Sequence, residues 1–469
     1  MILKSLKLEN FRCFPSLELV LDPRLNVFIG GNGSGKSALL DAIALSLGPV
    51  LTHLPELSGP GLKRSDIRLV ALDRLAPFVC MAAAAEHGNG VLREFRWDRI
   101  NKRDNSKDTR RALPKDTNGL KQLNDWLDEI IGKHDRGESF ALPVFAHYGT
   151  NRAVDVPHNK PSTKKRKSFE RLDALVGALS PDADFRRAVA WFKMLEDQEV
   201  RARLEKILEF SNVPLDTGEP SMLTPVRRAI ERMLPGIRNP RMDQYDTERF
   251  VVDGANSEGQ TVKLFLDQLS DGYQVMLGMV MDFALRLVRA NPVTPEHPDP
   301  LSAQAIMIVD EVDLHLHPEW QQRVIPDLMR TFKGTQFIFT THSPQVVSTV
   351  RKKFVRKLEK FEICELPTET IGAESSRVLE DAFDVPVRAQ NLEEVKLLEA
   401  YIQLAETPNV SANDLANKRE EVLQIFTDDE PAIELTDMAI EQRRILGELN
   451  LHLPVIAAPK DDEDFSEQA

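Results

Sequence analysis

The sequence predicts an α/β fold built around a phosphate-binding loop, with a helical insertion in its middle and a helical C-terminal extension. Three observations predict it. A short apolar run, Leu25–Ile29, leads directly into Gly30-Gly31-Asn32-Gly33-Ser34-Gly35-Lys36-Ser37, and helical apolar spacing follows from Ala38 to Leu47. A second run, Ile306-Met307-Ile308-Val309, is uninterrupted by polar residues and ends in Asp310-Glu311. A third, Gln336-Phe337-Ile338-Phe339, ends in Thr340-Thr341-His342-Ser343-Pro344. Continuous apolar runs suit parallel strands covered on both faces. Such sheets collect their ligands at the carboxyl ends of the strands.

The elements follow in order. Leu3, Leu6, Leu8 and Phe11 mark a first strand, and the alternation of Leu17, Leu19 and Leu21 a second. From 50 to 140 the pattern is mixed, and the polar stretch 98–111 reads as a solvated loop. Leu142 to Ala146 reads as a core strand that ends at Tyr148-Gly149-Thr150-Asn151-Arg152. Residues 157–168 are linker-like and hold the run Lys164-Lys165-Arg166-Lys167. Leu172, Leu175, Val176 and Leu179 then keep helical spacing, as do Ala188, Phe192 and Leu195. Beyond 371 the chain is charged and helical: Leu392, Val395, Leu398 and Ile402 mark one helix, Val422, Ile425 and Phe426 another, Met438, Ile445 and Leu449 a third. The acidic tail 461–467 reads as disordered. The boundaries expected are 1–156 and 246–370 for the two parts of the α/β head, 157–245 for the insertion and 371–469 for the extension.

Composition narrows the class. The chain has 469 residues, 42% of them hydrophobic, and a net charge of −13. That acidity argues against a general nucleic-acid coat. The basic run 164–167 therefore reads first as a solvated loop and second as a local contact for nucleic-acid phosphates. Cys13, Cys80 and Cys364 form no CxxC pair, as expected for thiols in a reducing compartment. The start Met1-Ile2-Leu3-Lys4 lacks a signal-peptide pattern, and the most apolar helix candidate, 275–288, contains Asp282 and Arg286. A cytoplasmic protein with no membrane partner is expected.

Each motif has a chemical reason. Gly30 to Ser37 fits GxxxxGK[ST] in full. Gly30, Asn32, Gly33, Ser34 and Gly35 would turn backbone N–H groups toward phosphate oxygens, with the helix N-terminus behind them. Lys36 would neutralise the β and γ phosphates of ATP, and Ser37 would ligate Mg²⁺. At the acidic strand end, Asp310 is the expected second partner of Mg²⁺. Glu311 is the expected base that polarises water. Adjacent buried acids repel unless a cation intervenes.

Leu269-Ser270-Asp271-Gly272-Tyr273-Gln274 is by itself only a helix start. Lying about 40 residues before Asp310, it resembles the LSGGQ signature of ABC-type ATPases, with Asp271 and Tyr273 departing from the commonest residues. The resemblance implies that Ser270 and Gly272 face the γ phosphate held by a second subunit, so that two heads sandwich two ATP molecules. It also implies that His342 senses the γ phosphate, and that His315 and His317 belong to a conventional loop rather than a metal cluster. Asn10-Phe11-Arg12, Glu311-Val312-Asp313-Leu314-His315-Leu316-His317-Pro318 and Thr341-His342-Ser343-Pro344 look like the RecF/OLD/SMC branch of that family. By this analogy Arg12 would reach the nucleotide. The usual glutamine of the Q-loop is not evident, and Tyr148 to Arg152 is the segment that could fill its place.

The stretch 371–388 and the charged helices after it resemble the ATPases of bacterial anti-phage systems, the Septu ATPases and their retron-linked relatives. That resemblance implies an ATPase switch working as a homodimer, or a larger assembly, beside a separate HNH nuclease, with the partner contact expected on 371–469. The alternative is a DNA-repair clamp of the RecF or SMC kind. An OLD-type nuclease would need a Toprim domain with a glutamate and a DxD cluster. Only 127 residues follow His342, and Asp428-Asp429 is expected in a turn between helices.

Overall fold

The computed structural model describes residues 1–72, 74–88, 93–152, 171–182, 185–209, 221–243, 245, 249–294, 298–407 and 410–448. The basic run 164–167 and the acidic tail 461–467 lie outside the described residues. The chain divides into two compact units, Met1–Asp384 and Val385–Ala469.

The first unit opens with β1 (Ile2–Phe11), β2 (Phe14–Val20) and β3 (Leu25–Ile29), then α1 (Lys36–His53). Next come the small strands β4 (Leu69–Ala71) and β5 (Arg74–Leu75), followed by β6 (Phe78–His87) and β7 (Arg93–Lys102). Helices α2 (Lys107–Ala112) and α3 (Lys121–Asp135) lead to β8 (Val144–Tyr148). Helices α4 (Phe185–Glu209) and α5 (Leu223–Met233) precede β9 (Arg238–Met242), β10 (Phe250–Ala255) and β11 (Thr261–Phe265). The unit continues with α6 (Asp271–Ala290), β12 (Ala305–Val309), α7 (Pro318–Gln321), α8 (Val324–Thr331) and β13 (Thr335–Thr340). It closes with α9 (Pro344–Val347), β14 (Val355–Glu359), β15 (Glu362–Glu365) and α10 (Ser375–Phe383).

The central sheet has the order β15-β14-β3-β13-β12-β8, parallel from β14 to β8 and antiparallel at the β15 edge. Strands β3, β8, β12 and β13 are buried along their whole length, which accounts for the unbroken apolar run of β12 and the largely apolar character of the others. A second sheet, β2-β1-β6-β7, is antiparallel. In β1, Leu3, Leu6, Leu8 and Phe11 are fully buried although their spacing is not strictly alternate; the register shifts between Leu3 and Ser5, and Asn10 takes a left-handed φ of 55°.

Two sequence expectations are corrected. The stretch 98–111 is not one solvated loop. Residues 98–102 complete β7, because β6 pairs with it as far as Phe78↔Lys102, and Asp98 is buried where it accepts the amides of Asn118 and Gly119. The helical spacing of 172–179 forms only a single 3₁₀ turn, Leu172–Leu175. The chain then runs beside the β8 edge, taking the His147 amide on Ala178 O at 2.8 Å and the Gly149 amide on Pro181 O at 2.9 Å.

The long helix α6 is buried along nearly its whole length and carries the pair that interrupted its apolar sequence. Arg286 Nε donates to Asp282 Oδ2 at 2.8 Å, and its Nη1 donates to Ala174 O at 2.7 Å. Tyr148 OH donates to the same Asp282 oxygen at 2.7 Å. Burial holds the Tyr148 phenol well above its ordinary pKa, and Asp282 adds to that, so it stays a donor. The network ties the end of β8 to α6.

The second unit holds α11 (Glu393–Glu406), α12 (Ala412–Leu423) and α13 (Pro431–Glu448) around Leu398, Tyr401, Val422 and Ile433. Asp437 joins them: Tyr401 OH donates to its Oδ1, and Arg419 Nε to its Oδ2 at 2.8 Å. No helix among the described residues is long and apolar enough to cross a membrane.

Removing one partner of the Asp282–Arg286 pair leaves a buried charge uncompensated. Arg286→Leu is expected to lower stability by about 3–5 kcal/mol, and Arg286→Leu with Asp282→Leu to recover part of it. Urea denaturation of the three proteins measures both.

A candidate nucleotide site at the strand ends

The parallel register brings the carboxyl ends of β3, β13 and β12 to one edge. Thr340 pairs with Phe28, and Val309 with Phe339 and Tyr148. The residues after each strand therefore converge: Gly30 to Ser37 after β3, Asp310-Glu311 after β12, Thr341-His342 after β13. Thr341 N donates to Phe28 O at 3.2 Å, joining two of these ends directly.

Gly30 needs to be glycine for space and for conformation. Its φ is 149°, and a Cβ there would lie 2.5 Å from Leu358 O of the neighbouring β14. The loop turns through Ser34 N to Gly31 O at 3.2 Å and enters α1 at Gly35. Lys36 is buried, and its Nζ donates to Gly30 O at 2.8 Å and Gly31 O at 3.0 Å. Burial pulls its pKa below the usual lysine value, while Asp310, Glu311 and Asp313 partly offset that. The loop lysine thus lies in the field of three acids from the β12 end. Ser34 Oγ is buried without a partner among the described residues. Ser37 and Asn32 are exposed.

Asp310 is buried. Its amide donates to Tyr148 O at 2.9 Å, and its Oδ1 accepts Thr340 Oγ1 at 2.5 Å. Glu311 is partly exposed with φ 50°, and its amide donates to Thr340 Oγ1 at 2.7 Å. Thr341 Oγ1 donates to Asp313 Oδ1 at 2.6 Å. His342 is half-buried between Thr341 and Ser343, which caps α9. The strand ends thus gather Lys36, Asp310, Glu311, Asp313, Thr340 and Thr341.

Other sequence-predicted residues stand apart. Arg12, at φ 46°, spends its guanidinium on Asp41 Oδ2 at 2.6 Å and Asp66 Oδ1 at 2.9 Å. Ser270 starts α6 without a side-chain capping bond. Gly272 packs on the loop after Glu311, where a Cβ would lie 2.5 Å from His315 O. Tyr273, a departure from the usual signature, packs against Trp320 with ring centres 4.2 Å apart and planes tilted by 59°. Among the described residues no hydrogen bond joins Ser270 or Gly272 to 30–37.

Thr340 and Thr341 join the site through Asp310, Glu311 and Asp313, and two hydroxyl residues closing an apolar strand are the sequence signal for them. Arg152 lay in the predicted Q-loop segment; it is buried, and its Nη2 donates to Asp310 O at 2.6 Å and Glu311 O at 2.5 Å. Cys13, Cys80 and Cys364 are all unpaired thiols.

The residues present suit a magnesium nucleotide. Among the described residues the loop offers a lysine bonded to its own carbonyls, an unpartnered buried hydroxyl, and a helix N-terminus. Ser37 and Asp310 are two oxygen donors of the kind Mg²⁺ takes alongside phosphate and water.

Comparison with known proteins finds nucleotide-enzyme relatives. A family profile described as "AAA domain" matches residues 5–210, and one described as "AAA domain, putative AbiEii toxin, Type IV TA system" matches 150–348. The "Retron Ec83 probable ATPase" of Escherichia coli is 28% identical, over 94% of this chain and 86% of its own. The "Retron Vc95 probable ATPase" of Vibrio cholerae is 22% identical, over 80% and 78%. The Septu protein PtuA of Bacillus mycoides is 35% identical over 17% of this chain and 10% of its own length. The chain is thus similar to AAA-type ATPases over residues 5–210 and 150–348, and among known proteins to the retron ATPases and to PtuA of Septu.

Proposed function

We propose that this ATPase is a two-headed switch of a bacterial anti-phage system, closed by ATP with Mg²⁺ and acting on a partner nuclease of the HNH class. The observation that carries the ATP chemistry is Lys36, buried in the loop after β3 and set against Asp310, Glu311 and Asp313 from the end of β12. Lys36 would exchange its two carbonyl acceptors for phosphate oxygens. Ser37 and Asp310 would hold Mg²⁺, which supplies charge neutralisation on the phosphates. Glu311, partly exposed beside a buried Asp310, would take the proton from water. His342 would donate a hydrogen bond toward the γ phosphate.

The same geometry supports two heads. Ser270 and Gly272 start α6 on the loop after Glu311 rather than on the phosphate loop of their own chain. An uncommitted serine at a helix N-terminus is suited to a phosphate brought by a second copy. Kinship to retron and Septu proteins supports the defence setting and the nuclease partner, and the cytoplasm would be its compartment. Arg12, tied to Asp41 and Asp66, would have to release one of them to reach a nucleotide. The clamp alternative of the RecF or SMC kind would show itself as salt-dependent binding of duplex DNA by the protein alone.

Lys36→Ala is expected to abolish binding of a fluorescent ATP analogue. Glu311→Gln is expected to keep that binding while lowering turnover by about 10²–10⁴-fold, the usual worth of a general base. Turnover of Glu311→Gln at the unaltered rate would remove Glu311 from this role. A chain ending at Asp384 is expected to hydrolyse ATP yet fail to co-purify with a co-expressed HNH nuclease; retained co-purification would move the partner surface to the first unit.

A further inference from the structure

Glu311 occupies a backbone conformation that glutamate does not favour. At φ 50° it lies in the left-handed region, which is strained for a non-glycine residue and persists only where its surroundings hold it. Two peptide groups flank its Cα, and both are gripped. The carbonyl of the first, Asp310 O, accepts Arg152 Nη2 at 2.6 Å. The carbonyl of the second, Glu311 O, accepts the same nitrogen at 2.5 Å. The amide of the first, Glu311 N, donates to Thr340 Oγ1 at 2.7 Å. An Nη2 group has two hydrogens, so one nitrogen serves both carbonyls.

The chain is bent to bring Arg152 there. After β8, Asp310 N bonds Tyr148 O, Gly149 N bonds Pro181 O, and Arg152 N turns back onto Thr150 O, each at 2.9 Å. Arg152 is 2% exposed, and its Nε has no partner among the described residues. An incompletely satisfied buried guanidinium is a poor choice for packing alone. Burial lowers its pKa to about 10, against the pull of Asp310, Asp313 and Glu311, so it remains charged at neutral pH.

We infer that Arg152 is a positioning residue for the Glu311 carboxylate, acting by its grip on the two carbonyls either side of Glu311. It sets the turn, the turn sets the direction of the side chain, and Arg152 itself need not meet the nucleotide. The inference rests on the reading of Glu311 as the base.

The test measures ATP turnover by the full chain carrying Arg152→Gln or Arg152→Lys, each with Glu311 and with Glu311→Gln. A misaimed base should lower kcat by about 10–100-fold, with KM nearly unchanged and the lysine variant less impaired than the glutamine one. In the Glu311→Gln background the same changes should have almost no further effect on single-turnover rates. An equal loss in both backgrounds would overturn the inference while leaving Glu311 as the base, as would a raised KM with kcat kept. If Glu311→Gln alone turns over at the wild-type rate, the reading of Glu311 fails and the inference with it. Should Arg152→Gln not fold, the Arg152→Lys comparison across the two backgrounds decides the matter.

Discussion

One hydroxyl joins the two strands on which the site is built. Thr340 Oγ1 gives its proton to Asp310 Oδ1 at 2.5 Å and accepts the Glu311 amide at 2.7 Å. This is possible only because β12 and β13 run parallel in a register that ends both at the same level, Val309 opposite Phe339. A slip of one residue would turn Thr340 to the other face of the sheet. The same register extends through β3, whose end begins the phosphate loop. The placement of Lys36 against Asp310 and Glu311 is thus a property of the sheet before it is a property of any motif.

The electrostatics follow from that convergence. Two cations, Lys36 and Arg152, and three acids, Asp310, Glu311 and Asp313, act on one another in a region of low solvent exposure. Burial penalises both cations, and the acids partly offset it. Among the described residues Lys36 bonds carbonyls of its own loop, and phosphate oxygens can replace them. Arg152 is different, because its bonds are to the backbone that carries the acids.

Much of this was legible in the sequence where local pattern and chemistry coincide. The loop 30–37, the acidic end of β12 and the strand before His342 were each readable, because fully buried parallel strands write themselves as apolar runs. Leu3, Leu6, Leu8 and Phe11 marked β1, and alternating leucines marked β2. What was not legible depends on partners distant in the chain. β6 carries Ala82 to Ala85, residues with little strand preference, and is a strand because β1 and β7 pair with it on either side. Residues 98–102 look like surface loop but complete that pairing. The helix α1 passes through Gly48-Pro49 to His53, beyond the apolar spacing of Ala38 to Leu47. The grip of Arg152 on Asp310 and Glu311 spans about 160 residues of chain, so no local pattern announces it.

Glycine at 272 allows α6 to start against His315 O, on the loop that follows Glu311. In the proposed account Ser270 and Gly272 complete the phosphate site of a second copy, and neither copy works alone. Mixing two inactive variants tests this most directly: Lys36→Ala, which lacks the lysine, and Ser270→Arg, which blocks the signature. Each alone should have negligible ATPase activity. Mixed in equal amounts and allowed to exchange, they should recover about a quarter of the wild-type rate, because half of the random dimers are mixed and each of those holds one intact site of two. A mixture no more active than its two components would contradict the shared site.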